Sequence, residues 1–174
     1  MVSDVPKAAL KTRPAEDDVL AEVPAYDLIE LFFFAYRDFV SDPDRILDEY
    51  GFGRAHHRVL HFVDRNPGLT IAELLDILRI TKQSLNRVLK EMLEKGFIES
   101  RMGTSDRRQR LLFPTRQGHE LAVKLAKLQT RRIMRALSEI EPEGKELISR
   151  YLLRLIDPDD RDHVARLVFG RTKP

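Results

Sequence analysis

The chain has 174 residues, 43% hydrophobic and 33% charged, the balance of a folded helix-rich protein and not of a disordered or bilayer-spanning one. It contains no cysteine, which excludes disulfide frameworks, thiolate metal sites, iron–sulfur ligation and thiol redox sensing. A net charge of +2 conceals an uneven distribution: Thr81 to Arg116 holds nine Lys/Arg against four Asp/Glu on an otherwise slightly acidic chain, the footprint expected of nucleic-acid contact.

Residues 1–24 mix Lys, Asp, Glu, Ala and Pro without sustained periodicity and read as a mobile N-terminal arm. They lack the apolar segment of a secretory signal, and no run anywhere approaches the ~20 apolar residues of a membrane span, so a cytoplasmic protein is expected. From Ala25 to Val40 the pattern is helical, with Tyr26, Ile29, Phe32, Phe33, Tyr36, Phe39 and Val40 on one stripe and Leu28, Leu31 and Phe34 on another. Two apolar stripes imply burial on two sides, which in a chain of this size points to a second subunit. Asp42-Pro43 reads as the start of a short separate helix ending near Gly51.

A helix is expected from about Arg54 to Arg65, stopped by Asn66-Pro67-Gly68. Thr70 and Glu73 form a capping box opening Ile71 to Leu78. A brief link leads to a second helix, Lys82 to about Lys95, whose Leu85, Val88, Leu89, Met92 and Leu93 recur at helical spacing before Gly96 ends it. Two short amphipathic helices so joined are a helix-turn-helix. Phe97 to Met102 and Gln109 to Phe113 alternate as two strands of a hairpin, with Asp106, Arg107 and Arg108 at its polar tip. Thr115 caps a long helix from about Arg116 to Ile140, Glu141-Pro142 starts another to about Ile156, and residues 158–174 form a tail with a short helix.

With Leu85 to Leu93 facing a core, Lys82, Gln83, Asn86, Arg87 and Lys90 face outward. Gln and Asn pair bidentately with adenine, Arg with guanine, and Lys with guanine or phosphate, so this face suits the major groove. Thr81 and Ser84 at the helix start suit phosphate oxygens. Arg107 and Arg108 suit the narrow minor groove, with Asp106 orienting one of them through a charge-assisted hydrogen bond. The bland alternative is a solvated polar face, against which the hairpin one strand later weighs. His57 and His61, four apart with His56 beside them, make an incomplete metal site, or else surface or capping groups or phosphate contacts. No nucleophile elbow, phosphate loop or dinucleotide fingerprint occurs, so neither an enzyme nor a cofactor is expected.

The segment Ile71 to Leu121 resembles the MarR family of multiple-antibiotic-resistance-type regulators. The matching residues are Ala72-Glu73-Leu74, Ser84-Leu85-Asn86-Arg87-Val88-Leu89, Lys95-Gly96-Phe97-Ile98, and Asp106-Arg107-Arg108-Gln109-Arg110-Leu111-Leu112-Phe113-Pro114-Thr115 followed by Gly118. Pro114-Thr115 stands where the family usually has Leu-Thr. With its flanking helices the resemblance covers roughly residues 25–157. It implies a mainly α fold with a small β-hairpin: a winged helix-turn-helix lobe over residues 53–114 and dimerisation helices over residues 25–52 and 115–157. It further implies a homodimer on double-stranded DNA, repression, release by a small-molecule effector, and Arg108 as the minor-groove arginine. Two other readings remain open at this point: a helical dimeric protein–protein adaptor, and a histidine-based metal-sensing regulator.

Overall fold

The computed structural model describes residues 24–103 and 109–170. The chain divides into two compact units, residues 1–37 and 38–174. In chain order the elements are α1 (Tyr26–Asp48), α2 (Arg54–Arg65), β1 (Leu69–Thr70), α3 (Ile71–Leu78), α4 (Lys82–Glu94), β2 (Ile98–Met102), β3 (Arg110–Pro114), α5 (Arg116–Leu137), α6 (Gly144–Leu155) and α7 (Pro158–Phe169).

In the first unit the described part of α1 leaves its large side chains in solvent, with Tyr26, Ile29, Leu31, Phe32, Phe33 and Tyr36 all at least half exposed. Phe33 and Phe34 meet edge to face at 5.4 Å, and the Arg37 guanidinium stands 4.8 Å from the Phe34 ring centre.

The second unit is built on one apolar core. Leu60 and Val63 of α2, Leu74 of α3, Leu85, Val88 and Met92 of α4, Ile98 and Leu112 of the sheet and Leu125 of α5 are all buried in it. The sheet is antiparallel with order β1, β3, β2; Leu69 stands opposite Leu112, and Ser100 opposite Leu112 on the other side. The expected hairpin therefore gains a third strand. At two residues, β1 is too short to leave a period in the sequence; it exists because Leu69 is buried beside Leu112 and Gly68 N–H donates to Leu112 O at 2.8 Å.

The expected break at Asp42-Pro43 is absent, and α1 is continuous through Pro43. A mid-helix proline removes one backbone hydrogen bond and costs about 3 kcal/mol. Here packing outweighs it: Val40, Pro43 and Leu47 are the buried positions of the helix, spaced to share one face. Ser41 Oγ also donates to Asp38 O at 2.8 Å. The short helix expected in the tail beyond residue 157 runs from Pro158 to Phe169. Its Arg161 donates to the carbonyls of Leu153, Arg154 and Ile156 at 3.2, 3.1 and 3.0 Å, so α7 caps the C-terminal end of α6.

Candidate nucleic-acid interface

Local chemistry sets the helix pair. Thr70 Oγ1 accepts from Glu73 N–H at 3.2 Å, and Glu73 Oε2 accepts from Thr70 N–H at 2.8 Å and from its hydroxyl at 2.7 Å, the reciprocal box that starts α3. These bonds hold the Glu73 carboxyl below the usual carboxylate range. The helix stops at Arg79, whose φ of 48° is the left-handed conformation. Its N–H still reaches Leu75 O at 2.9 Å, and its guanidinium donates to Asp160 of α7 at 2.5 Å.

After that turn Thr81 caps α4, its Oγ1 accepting from Ser84 N–H at 3.2 Å and donating to Ser84 Oγ at 2.9 Å. The Thr81 hydroxyl is thus committed to the cap, while its neighbour's oxygen remains at the surface. Leu85, Val88, Leu89 and Met92 are buried, whereas Leu93, expected in the same stripe, is 39% exposed. Thr81, Lys82, Gln83, Ser84, Asn86, Arg87 and Lys90 are all exposed, so the groups singled out for base and phosphate contact stand on one uncovered face.

The acids of α4 lie apart from that end. No Asp or Glu occurs from Lys82 to Lys90. Glu91 is turned to α2, where its Oε2 accepts from His56 Nε2 at 2.9 Å while His56 Nδ1 accepts from Gly53 N–H at 3.1 Å. Glu94 lies 3.8 Å from Lys90 Nζ. The first two turns of α4 consequently carry two cations, Lys82 and Arg87, and no carboxylate, and Lys90 follows with Glu94 as its neighbour.

The end of α4 is anchored by a left-handed glycine. Gly96, at φ 73°, donates to Leu93 O at 3.1 Å and Phe97 N–H reaches back to Met92 O at 2.9 Å, which turns the chain directly into β2. Thr115 Oγ1 donates to Gly96 O at 2.6 Å and accepts from Gly118 N–H at 3.1 Å, tying the start of α5 to the same corner.

The hairpin arises next to the helix start. Lys82 of α4, Gln109 and Arg110 of the wing, Thr70 of β1, and Ile71, Ala72 and Leu75 of α3 line one concavity of about 370 Å³. Arg110 was not among the expected contact residues. The signal lay in the strand alternation, because Arg110 shares a face with the buried Leu112 and ends that face in solvent. On β2, Arg101 pairs with Glu99 and its guanidinium lies 4.4 Å from the Phe113 ring centre. Asp106, Arg107 and Arg108 lie outside the described residues.

Among the described residues no group of three or more His, Asp or Glu is placed to bind an ion. His57 is half-buried, and burial lowers its pKa from the ordinary 6.5, aided by His61 and opposed by Asp44. The folded state then binds fewer protons than the unfolded one, so this stabilisation is complete above about pH 6.5 and is lost as the pH falls through the lowered value. His57→Gln is expected to flatten that decline. Urea midpoints at about pH 7.5 and about pH 5.5 should differ less in the variant than in the parent; an undiminished difference would assign the pH dependence to other groups.

Residues 50–109 match the MarR family. The HTH-type transcriptional regulator PetP of Rhodobacter capsulatus is 45% identical over 139 residues, spanning 80% of this chain and 84% of that protein. This chain belongs to the MarR family. It is a transcriptional regulator of that type, and its helix pair and hairpin are a winged helix-turn-helix with α4 as the second helix of the pair. Solved structures share the fold of this MarR-family chain. Streptococcus pneumoniae FabT in complex with DNA aligns with a TM-score of 0.68 at 15% identity, covering 76% of this chain and 94% of that one. A SlyA-like transcription regulator from Listeria monocytogenes aligns with a TM-score of 0.64 at 18% identity, covering 88% and 99%. Among the described residues of this MarR-family regulator, no helix is long and apolar enough to cross a membrane.

Proposed function

We propose that this regulator is a cytoplasmic homodimer that binds a pseudo-palindromic duplex operator, represses transcription there and is released by a small-molecule effector. The observation that carries the DNA reading is the exposed face of α4, where Lys82, Gln83, Asn86, Arg87 and Lys90 project together from a helix held on its other side by buried Leu85, Val88 and Met92. Gln83, Asn86 and Arg87 read base edges in the major groove; Lys82, Ser84 and Lys90 hold phosphates, and Thr81 positions the helix start beside them. Arg110 joins Lys82 at the backbone, and Arg107 and Arg108 of the wing enter the minor groove with Asp106 as orienting partner. Repression and effector release rest on the family membership, and FabT, whose structure was solved with DNA, supports the docking of such a lobe on a duplex.

Two recognition helices of a dimer reading the same face of a duplex require half-sites about 10 base pairs apart, centre to centre. Fluorescence anisotropy on labelled random duplexes, followed by selection and sequencing of the tightest fraction, is expected to return such a palindrome. Asn86→Ala should then relax the preference at one symmetric pair of positions, at a cost of about 1–3 kcal/mol per lost bidentate contact on the selected site and almost none on random DNA. Equal losses on both would reassign Asn86 to the backbone. Sequence-blind binding by the parent would remove the operator reading and bring forward the adaptor, in which the same lobe docks on a protein.

A further inference from the structure

Arg79 stands where glycine would be the easier residue. It ends α3 at φ 48°, three positions before α4 begins at Lys82. A long side chain in the left-handed region carries strain that glycine would not, and the conformation persists where its surroundings hold it. Here the side chain reaches Asp160, in the first turn of α7, with Nη2 donating to Oδ2 at 2.5 Å.

The next residue of α7 serves a different neighbour. Arg161 bonds the carbonyls of Leu153, Arg154 and Ile156, so residues 160 and 161 together join the end of α6 to the turn of the helix pair. Elsewhere along this seam the surfaces do not close. Phe62 of α2, Ile77 of α3 and Val164 and Leu167 of α7 line a cavity of about 450 Å³, and His163 Nε2 stands 3.8 Å from Asp76 Oδ2, beyond hydrogen-bond distance. Packing across an open seam leaves the turn room to shift, and the Arg79–Asp160 bond restrains it.

We infer that Asp160 is a positioning residue for the recognition helix: by holding Arg79 it fixes the turn from which α4 starts, and with it the angle at which Gln83, Asn86 and Arg87 are presented. The inference rests on the DNA-binding reading of α4. The partners are 64% and 31% exposed, and such a pair adds little to global stability. What it adds to binding is bounded by its own strength, so breaking it should cost about threefold to fivefold in operator affinity. Charge alone predicts the opposite sign, because Asp160→Asn removes a negative charge and should tighten binding to any DNA.

The test compares full-length parent, Asp160→Asn, Asp160→Glu, Arg79→Gln and the double variant Asp160→Asn with Arg79→Gln, by anisotropy on the selected operator and on a random duplex. Asp160→Asn should weaken operator binding by that factor with random-duplex affinity and salt slope unchanged, Asp160→Glu should keep the parental values, and the double variant should lose no more on the operator than Arg79→Gln alone. Operator affinity unchanged or raised in Asp160→Asn would overturn the inference. So would a loss confined to Arg79→Gln, equal on both duplexes and with a shallower salt slope, since Arg79 would then be a phosphate contact. Hydrogen exchange without DNA separates these failures from failure of the DNA reading. The amides of Arg79, Ser84 and Leu85, each hydrogen-bonded at this turn, should exchange several-fold faster in Asp160→Asn, and unchanged exchange would overturn the inference whatever the protein binds. Sequence-blind binding by the parent would overturn the operator reading and the role in recognition with it, while the exchange result would still decide whether Asp160 holds the turn.

Discussion

Gly118→Ala is expected to destabilise the protein by about 3 kcal/mol, lowering its Tm by about 6–12 °C. Helix propensity alone predicts the opposite, since alanine in a helix gains about 1 kcal/mol over glycine. The difference lies in what a methyl group would meet. A Cβ on Gly118 would stand 2.0 Å from the Phe97 carbonyl oxygen, 3.0 Å from its carbon and 3.4 Å from Leu60 Cδ1. That carbonyl cannot rotate away freely, because it accepts from Thr115 N–H at 3.1 Å while the Thr115 hydroxyl holds Gly96 O at 2.6 Å. Room for the methyl requires α5 to lift off the corner where the recognition helix ends and β2 begins. Urea unfolding of parent and variant decides the matter, and a variant as stable as the parent would mean that this corner yields at little cost. The same displacement would reach DNA affinity, because the corner sets how α4 and the wing are presented together.

The parts of this protein legible in its sequence are those specified by short-range chemistry. The capping box of Thr70 and Glu73, the apolar spacing from Leu85 to Met92 and the stop at Gly96 place α3 and α4 almost to the residue, because each signal acts within one or two turns. The outward face of α4 follows from that spacing and needs no tertiary information. Features decided by distant packing were not legible. Pro43 reads as a helix start and is instead buried inside α1. Strand β1 exists through its pairing with β3. His57 sits in a run of three polar residues, His56 to Arg58, that fixes no helix face, and its half-burial near Asp44 and His61 is decided by tertiary packing. The bond between Arg79 and Asp160 gave no motif at all, since it bridges 81 residues of sequence.

Charge placed on the apolar face of α6 is expected to dissociate the proposed dimer. Leu147, Ile148, Tyr151, Leu152 and Leu155 recur at the spacing of one helical stripe, yet all are exposed, Tyr151 at 49% and Leu152 at 47%. A solvated helix would not concentrate large apolar side chains on one side, and contiguous apolar surface of this kind marks an association site. The described aromatic residues of α1, from Tyr26 to Tyr36, are exposed in the same way within their own unit. Ile148→Glu with Leu152→Glu leaves a monomer little changed, because surface substitutions usually stay within about 0.5 kcal/mol, whereas burying two uncompensated carboxylates in an interface costs several. Sedimentation equilibrium should therefore give half the parental mass, with the helix content at about 25 °C retained and a lower melting midpoint that no longer depends on protein concentration, because the stabilisation by association is lost. Loss of the second half-site removes the gain from linking two binding modules, so affinity for the selected palindrome should fall by about 100-fold or more while affinity for a single half-site stays near its former value. A variant that remains dimeric and binds the palindrome as the parent does would show that the α6 face is not where the two copies meet. A monomer with undiminished affinity would show instead that one winged lobe suffices, and the palindromic operator would lose its physical basis.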